Sequence, residues 1–201
     1  MLTTQSIAPM VLNQLPELQM SDEQFFRFCQ DNPTWQIERS AAGEILVMPP
    51  TGAETGERNF DLIGQLWFWA KQDGRGKGFD SSTGFTLPNQ AVRSPDAAWI
   101  SKERWDALPP QDRKRFAPIC PDFVLELRSE TDLLTTLQAK LEEYIANGAR
   151  LGWLIDPIER RVHVYTATSG VEILDEPPTL RGDPVLPGLV LNLQNLWRET
   201  H

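Results

Sequence analysis

The stretch Pro121-Asp122-Phe123-Val124-Leu125-Glu126-Leu127-Arg128-Ser129 is apolar through most of its length, which is typical of a central strand covered on both faces. The following segment, 132–147, has leucines at helical spacing, Ser129 or Thr131 as candidate caps and a stop signal at Asn147-Gly148. A second buried strand is predicted at Leu151 to Ile155. Strand, helix and strand in this order predict a crossover unit with two parallel neighbouring strands, and therefore an α/β fold.

The rest of the chain alternates short strand-like runs with two longer helices and a short one, which Ser101 can cap and which runs through Trp105. The first helix is predicted over 22–30 with Ser21 as its cap, and the second from about Ala53 to Gln72. The apolar arc of the second helix, which includes Phe60 and Trp67, is predicted to be largely buried. The remaining strands are expected at 35–38, 44–48, 83–87, 93–100, 161–166, 171–174 and 189–193. The last two resemble edge structure.

Length and composition indicate one globular domain. The chain has 201 residues, of which 40% are hydrophobic and 23% charged, so we expect a domain over 21–201 and a loosely attached arm over 1–20. The net charge of −9 is unfavourable for a protein that binds nucleic acid, which usually has a basic face, so any basic groove must be local. Such a groove could include Arg58, Lys71, Arg75, Lys77 and Arg93, although scattered surface charge is the alternative.

The same composition bears on cellular location. No apolar run approaches the roughly 20 residues that span a bilayer, and the first 19 residues lack the basic and apolar regions of a secretory signal. Cys29 and Cys120 lie far apart and form no CxxC pattern, which suits a reducing compartment. We therefore predict a cytoplasmic protein with no membrane segment.

Two carboxylates interrupt apolar strand-like runs. Asp96 shares a strand face with Ala98 and Ile100, and Glu126 shares one with Val124. Burial of an isolated carboxylate is costly, so both positions predict a metal ion or a cationic partner. Two alternatives stay open. Asp96 could simply form a bend with its own backbone, and Glu126 could form a structural ion pair with Arg93 or Arg128.

Two further residues are candidates for the same site. Lys140 lies at the edge of the apolar arc of the 132–147 helix, from which it could reach Glu126; the alternative is a lysine that extends its ammonium into water. Glu54 opens the second helix, where Thr51-Gly52-Ala53-Glu54 matches a capping box. Capping alone would explain Glu54, and Glu57 could take its place if the helix begins later.

The order of several motifs resembles a known family. They are Met48 to Gly52, Ser81 to Phe85, Arg93-Ser94-Pro95-Asp96, Pro121 to Ser129, Lys140 with Tyr144, and Gly148 to Pro157. Together they resemble the Uma-two-type restriction endonuclease family of the PD-(D/E)XK nuclease superfamily, from about Trp35 to Trp197. Many of these positions are core or turn residues, so the resemblance depends on their joint occurrence and order.

The resemblance implies a restriction-endonuclease-like fold, in which a mixed central sheet is flanked by helices. It implies Mg²⁺, or Mn²⁺, held by Asp96 and Glu126, with Lys140 as the catalytic lysine and Glu54 as an accessory metal ligand. Arg128 occupies the position where the superfamily usually has its lysine. Arginine binds phosphate but does not accept a proton at neutral pH, so the resemblance assigns the lysine role to Lys140.

The expected function is therefore hydrolysis of DNA phosphodiester bonds by a metal-dependent endonuclease. A homodimer is the default expectation because two-fold dimers are the commonest soluble oligomers. One alternative is a catalytically silent nuclease-like scaffold that acts as a protein-binding or regulatory module, which the acidic charge favours. Another is a hydrolase of some other phosphodiester.

Overall fold

The computed structural model describes residues 10–11 and 20–198 of the chain. The helices are α1 Asp22–Asp31, α2 Ala53–Asp73, α3 Lys102–Ala107 and α4 Leu134–Ala146. The strands are β1 Met10–Val11, β2 Gln36–Arg39, β3 Ile45–Met48, β4 Gly76–Asp80, β5 Phe85–Thr86, β6 Val92–Arg93, β7 Ala97–Ser101, β8 Phe123–Leu127, β9 Leu151–Asp156, β10 Arg161–Thr166, β11 Gly170–Asp175, β12 Thr179–Arg181 and β13 Val190–Asn192.

The central sheet has six strands in the order β11-β10-β9-β8-β7-β4. Strand β8 is buried along its whole length and pairs in parallel with β9, and α4 connects the two. The predictions of a buried central strand at β8 and of a parallel crossover to β9 are both confirmed. Helix α4 ends at Ala146 with Asn147 as its C-terminal cap, and Gly148 follows with a φ of 106°, which favours glycine. A side chain at Gly152 would meet Leu141 at 2.6 Å, so the absence of one lets α4 pack closely on β9.

Two core layers cover the central sheet, because successive side chains of a strand point to opposite faces. Ala98, Ile100 and Val124 pack with α4 on one face. Phe123, Leu125 and Trp153 pack with α2 and the C-terminal segment on the other. The mixed sheet flanked by helices confirms the predicted fold class.

A second sheet, in the order β1-β3-β2-β6-β5, packs with α1. The chain passes from this sheet to the central one at Ser94-Pro95-Asp96, between β6 and β7. The single strand predicted over 93–100 was therefore wrong, because its two halves pair in different sheets. Of the predicted arm, residues 1–9 and 12–19 lie outside the described part of the chain, and Met10–Val11 pairs with β3.

The cap of α1 agrees with the sequence-based prediction, whereas that of α4 does not. Ser21 and Gln24 form the complete capping box that begins α1. Helix α4, in contrast, begins at Leu134 without a side-chain cap, so the predicted caps Ser129 and Thr131 are wrong. Ser129 instead donates its N–H to a carboxylate oxygen of Asp132 at 2.8 Å, which closes a turn before the helix.

Helix α2 buries less of its apolar surface than predicted. Leu62 and Leu66 are buried, but Phe60, Trp67 and Phe68 are 79%, 58% and 59% exposed. The prediction of a largely buried arc was wrong, because the residues that the structure describes cover only one side of the helix.

The C-terminal segment is part of the core. Strand β11 lies at the edge of the central sheet, as predicted, whereas β12 and β13 form a separate hairpin. Leu191 of this hairpin is buried with Leu66 of α2 and Trp197. In a two-stranded sheet both strands are edges, so edge structure at 189–193 is confirmed, but Leu191 also contributes to the core. Within the described residues, no helix is both long and apolar enough to cross a membrane.

Candidate active-site cleft

A cleft lies where the two sheets, α2 and α4 meet. Its polar floor combines the junction between β6 and β7 with the end of β8 and the middle of α4. The residues that line it are Gln36, Met48, Pro49, Thr51, Thr55, Asn59, Ser81, Ser94, Asp96, Glu126, Leu127, Ser129, Thr131, Asp132, Leu137 and Lys140. Three of the four predicted site residues, Asp96, Glu126 and Lys140, are among them.

Asp96 directly precedes β7, and strand register explains its position. Ala97 pairs with Leu125 in the antiparallel ladder between β7 and β8, so the same register, continued by one residue, places Asp96 opposite Glu126. The carboxylate oxygen Oδ2 of Asp96 accepts a hydrogen bond from the N–H of Leu127 at 2.7 Å. Burial raises the pKa of Asp96 to about 6, although the Leu127 N–H and Lys140 act in the opposite direction.

Glu126 is 4% exposed and points toward α4. Its Oε1 lies 2.9 Å from Nζ of Lys140 and accepts a hydrogen bond from the hydroxyl of Tyr144 at 3.2 Å. Burial raises the pKa of Glu126 well above its usual range, while the ammonium of Lys140 partly offsets this effect. The ionised carboxylate is therefore costly here unless more positive charge is bound nearby.

Lys140 is held by carboxylates on both sides of the cleft. Its Nζ lies 2.9 Å from Oε1 of Glu126 and 2.9 Å from Oε1 of Glu38, and it donates to the carbonyl of Ser94 at 3.4 Å. The side chain is 11% exposed, so the alternative of an ammonium that extends into water was wrong. Burial acts to lower the pKa of Lys140, but the two carboxylates outweigh it and hold the pKa above its usual range. The lysine is a fixed cation.

Glu38 is the part of this cluster that the sequence analysis missed. It is 2% exposed and accepts hydrogen bonds from Nη1 of Arg93 at 3.1 Å and from the N–H of Ser94 at 2.8 Å. Burial acts to raise its pKa, but Lys140, Arg93 and the Ser94 N–H together lower it. On β2, Gln36 and Glu38 lie on the same face of the strand and Ile37 lies on the other. Two polar residues on one strand face indicate exposure to solvent, so the local sequence gave no signal for the role of Glu38.

The alternative ion pairs of Glu126 are not formed. Arg93 binds Glu38 and, at 2.6 Å, Glu143. Arg128 lies 2.7 Å from Asp156. Among the described residues, Lys140 is therefore the cation that pairs with Glu126.

The charges of the cluster leave room for a divalent cation. The two cations, Lys140 and Arg93, are matched by the carboxylates of Glu38 and Glu143. Ionisation of both Asp96 and Glu126 adds two negative charges, and the carboxylate of Asp132 also lines the cleft, so a divalent cation would offset this surplus of negative charge. Carboxylate oxygens are the ligands that Mg²⁺ prefers. The donor set therefore fits such an ion.

Carboxylates alone would not complete its coordination. No group of three or more His, Cys, Asp or Glu side chains among residues 10–11 and 20–198 could hold a metal ion. Neutral oxygens would supply the rest, as is usual for Mg²⁺, which keeps several waters. Asn59 lines the cleft, and its Oδ1 is buried without a hydrogen-bond partner in the described structure.

Comparison with known proteins identifies the family. The family model described as "Uma2: Putative restriction endonuclease" matches residues 22–194. The chain belongs to the Uma2 family. The fold of this Uma2 protein is similar to that of a crystal structure described as a "putative nuclease belonging to DUF820" from Anabaena variabilis, with a TM-score of 0.72 and 22% sequence identity. The match covers 89% of this chain and 97% of the other. No curated protein matches the chain.

The structure does not bring Glu54 of this Uma2 chain into the cleft. Helix α2 begins after Gly52, so the predicted capping box at Thr51 does not form. The Glu54 side chain is 66% exposed and lies 3.9 Å from Arg58. The side chains of α2 that line the cleft are Thr55 and Asn59. Geometry therefore gives no support to Glu54 as a metal ligand.

Arg128 does not substitute for the lysine that the superfamily usually has two residues after its second acid. Its guanidinium binds Asp156 at the end of β9 and is not part of the cleft lining. Asp156 is fully buried, so this pair is part of the packing between β8 and β9. The cation beside Glu126 comes from α4 instead.

Proposed function

We propose that this Uma2 protein is a metal-dependent DNA endonuclease that hydrolyses phosphodiester bonds in the cleft formed by Asp96, Glu126 and Lys140. The observation that carries the proposal is the pair of carboxylates, Asp96 and Glu126, beside the fixed ammonium of Lys140. Their surplus negative charge fits a divalent cation, Mg²⁺ or Mn²⁺. Membership of a family described as restriction endonucleases supports DNA as the substrate.

When bound, a divalent ion supplies charge stabilisation at the scissile phosphate and a bound water of lowered pKa. Asp96 and Glu126 would hold it through their ionised carboxylates. The Leu127 N–H fixes one oxygen of Asp96, and the Tyr144 hydroxyl and Lys140 fix one oxygen of Glu126. These contacts orient both acids before any substrate enters.

Lys140 contributes positive charge rather than a proton acceptor. Its pKa lies above the usual range, so its ammonium keeps its proton at neutral pH. An ammonium in a water-poor cleft stabilises the negative charge that develops on phosphate oxygens during hydrolysis. Glu38 fixes the position of this charge from the opposite sheet.

A second candidate is a catalytically silent scaffold that binds other proteins. It is favoured by the net charge of −9, which opposes tight binding to a DNA duplex. A cytoplasmic location and a homodimer are part of the main proposal. The cytoplasmic location is supported by two widely separated free cysteines, Cys29 and Cys120.

Incubation with supercoiled plasmid in Mg²⁺ or Mn²⁺ tests the proposal. The wild type is expected to nick the plasmid, and Asp96→Asn and Glu126→Gln to reduce the rate at least about 100-fold. Glu54→Gln is the matched control, since it removes a carboxylate outside the cleft. Equal nicking by all four proteins indicates a contaminating nuclease. If folded wild type binds Mn²⁺ in titration calorimetry but cleaves no nucleic acid, the scaffold function is favoured.

A further inference from the structure

The face of α2 that is turned away from the cleft is apolar and exposed. It carries Phe60, Trp67 and Phe68, which are 79%, 58% and 59% exposed. Large apolar side chains gathered on one helix face mark an interaction site more often than scattered single ones do. Nothing among the described residues covers this face.

Gly64 lies in the middle of the same face. It is exposed, and a side chain there would meet no atom within 4 Å. Packing within the chain therefore does not require glycine at this position, and glycine inside a helix is destabilising relative to alanine. A residue without a side chain does, however, allow another backbone to approach closely.

The residues around Gly64 are arranged symmetrically. Phe60 and Phe68 are four positions before and after it, and Glu57 and Lys71 are seven positions before and after it. At 3.6 residues per turn, all four lie within about 40° of Gly64 around the helix axis. Glu57 and Lys71 are both exposed. The face is therefore palindromic in its two phenylalanines and opposite in charge at its two ends, whereas the position that mirrors Trp67 is occupied by Asp61.

We propose that two copies of the chain form a dimer through this face, with their α2 helices antiparallel and crossing at Gly64. A two-fold axis at Gly64 places Phe60 opposite the partner's Phe68, and Glu57 opposite the partner's Lys71. Each contact occurs twice, as a two-fold interface requires. A parallel arrangement would instead place Glu57 beside Glu57 and Lys71 beside Lys71.

The size of the face indicates a weak, concentration-dependent dimer. Its three aromatic side chains expose roughly 400 Å² on each copy, if a buried aromatic residue covers about 200 Å². Two copies together then approach the roughly 1,000 Å² of a specific interface. Lys71, whose Nζ lies 5.7 Å from the centre of the Trp67 ring, adds to the contact.

This interface is separate from the cleft. Thr55 and Asn59, which line the cleft, lie on the opposite side of α2 from Gly64. Dimer formation therefore leaves the cleft open, and loss of the dimer and loss of nuclease activity are distinguishable results.

Sedimentation velocity of the full chain over a range of concentrations tests the interface. The wild type is expected to shift from one to two times the chain mass, and Phe68→Glu to remain a monomer with unchanged circular dichroism. Ile173→Glu, at a 55% exposed position on β11, is the matched control and should dimerise like the wild type. A wild type that is monomeric at every concentration overturns the proposal, as does a dimer that survives Phe68→Glu.

A charge exchange tests the antiparallel arrangement. Glu57→Lys or Lys71→Glu alone places like charges opposite each other and should weaken the dimer at least several-fold. The double variant Glu57→Lys/Lys71→Glu restores opposite charges in both contacts and should recover the wild-type dissociation constant. If the single variants dimerise like the wild type, or the double variant stays as weak as the single ones, the proposed arrangement is wrong.

Discussion

Two buried carboxylates, at the two ends of β8, have different surroundings. Asp122, just before the strand, is 1% exposed; it accepts a hydrogen bond from the N–H of Ser101 at 2.8 Å and binds Arg104 at 2.9 Å. Glu126, inside the strand, is 4% exposed and shares Lys140 with Glu38. Glu126 lines the cleft, whereas Asp122 does not.

The difference separates an acid that stabilises the fold from one that is available for chemistry. Asp122 has cationic and backbone donors of its own. The positive charge beside Glu126 and Asp96 does not offset the cost of burying two ionised carboxylates, so burial raises the pKa of both. A buried acid with a raised pKa in a cleft is typical of a functional site. The presence of Pro-Asp at both 95–96 and 121–122 shows that the dipeptide alone does not identify the site.

The largest expected effect concerns the stabilising acid. Asp122→Ala leaves the N–H of Ser101 and the guanidinium of Arg104 without their acceptor, so the free energy of unfolding should fall by about 3 kcal/mol. Urea denaturation measures this change, and Asp122→Asn should lose less. Cleavage per folded molecule should remain at the wild-type rate; a folded Asp122→Ala protein without activity would remove the distinction between the two acids.

Lys140 gives the next largest effect, on the rate of cleavage. Lys140→Met removes the positive charge from the cleft and should slow plasmid nicking about 100-fold. Lys140→Arg keeps the charge and should retain part of the activity in the same assay. Arginine does not accept a proton at neutral pH, so equal inactivity of the two variants would contradict a purely electrostatic role for Lys140.

Asp96 provides a smaller effect that depends on pH. Because burial raises its pKa to about 6, the folded protein binds this proton more tightly than the unfolded chain, whose aspartates titrate near 3.9. The metal-free protein should therefore lose stability as the pH rises from about 4 to above 6. Asp96→Asn removes the titration and can still accept the Leu127 N–H.

Urea denaturation in EDTA at pH 4 and pH 8 measures this linkage. Asp96→Asn should nearly match the wild type at pH 4 and exceed its free energy of unfolding by about 2–3 kcal/mol at pH 8. Added Mn²⁺ should stabilise the wild type and have less effect on the variant. A variant that is less stable than the wild type at pH 8 would place Asp96 with Asp122 among the acids that stabilise the fold.

The smallest expected effect is at Glu54. Since its side chain is largely exposed and outside the cleft lining, Glu54→Gln should change the nicking rate by less than about twofold. A much larger loss in a normally folded variant would show that Glu54 joins the site when metal and DNA are bound.

Much of the central fold was predictable because its signals are local. The apolar run at β8, the leucine periodicity of α4 and the stop at Asn147-Gly148 all agree with the structure. The signals that failed depend on distant packing. Phe60 and Leu66 are both apolar residues of one helix, and only the tertiary structure determines that Leu66 is buried and Phe60 is exposed.

The candidate site was partly predictable for the same reason. Asp96 and Glu126 were found because a carboxylate in an apolar strand is conspicuous, and Lys140 because its helix follows β8. Glu38 was missed because its partners, Arg93 and Lys140, are 55 and 102 positions away in the chain. Glu54 was included because the family resemblance implies an accessory acid at the start of this helix, whereas the structure leaves its side chain exposed and outside the cleft lining.

The contact between Glu38 and Lys140 connects two parts of the protein that belong to different layers. Glu38 is on the second sheet, whereas Lys140 is on the helix that packs against the central sheet. The ammonium of Lys140 therefore links the two layers and also supplies positive charge in the cleft. If the layers separated locally, Lys140 would lose one of its two carboxylates, so the alignment of the cleft is tied to how firmly the layers are docked.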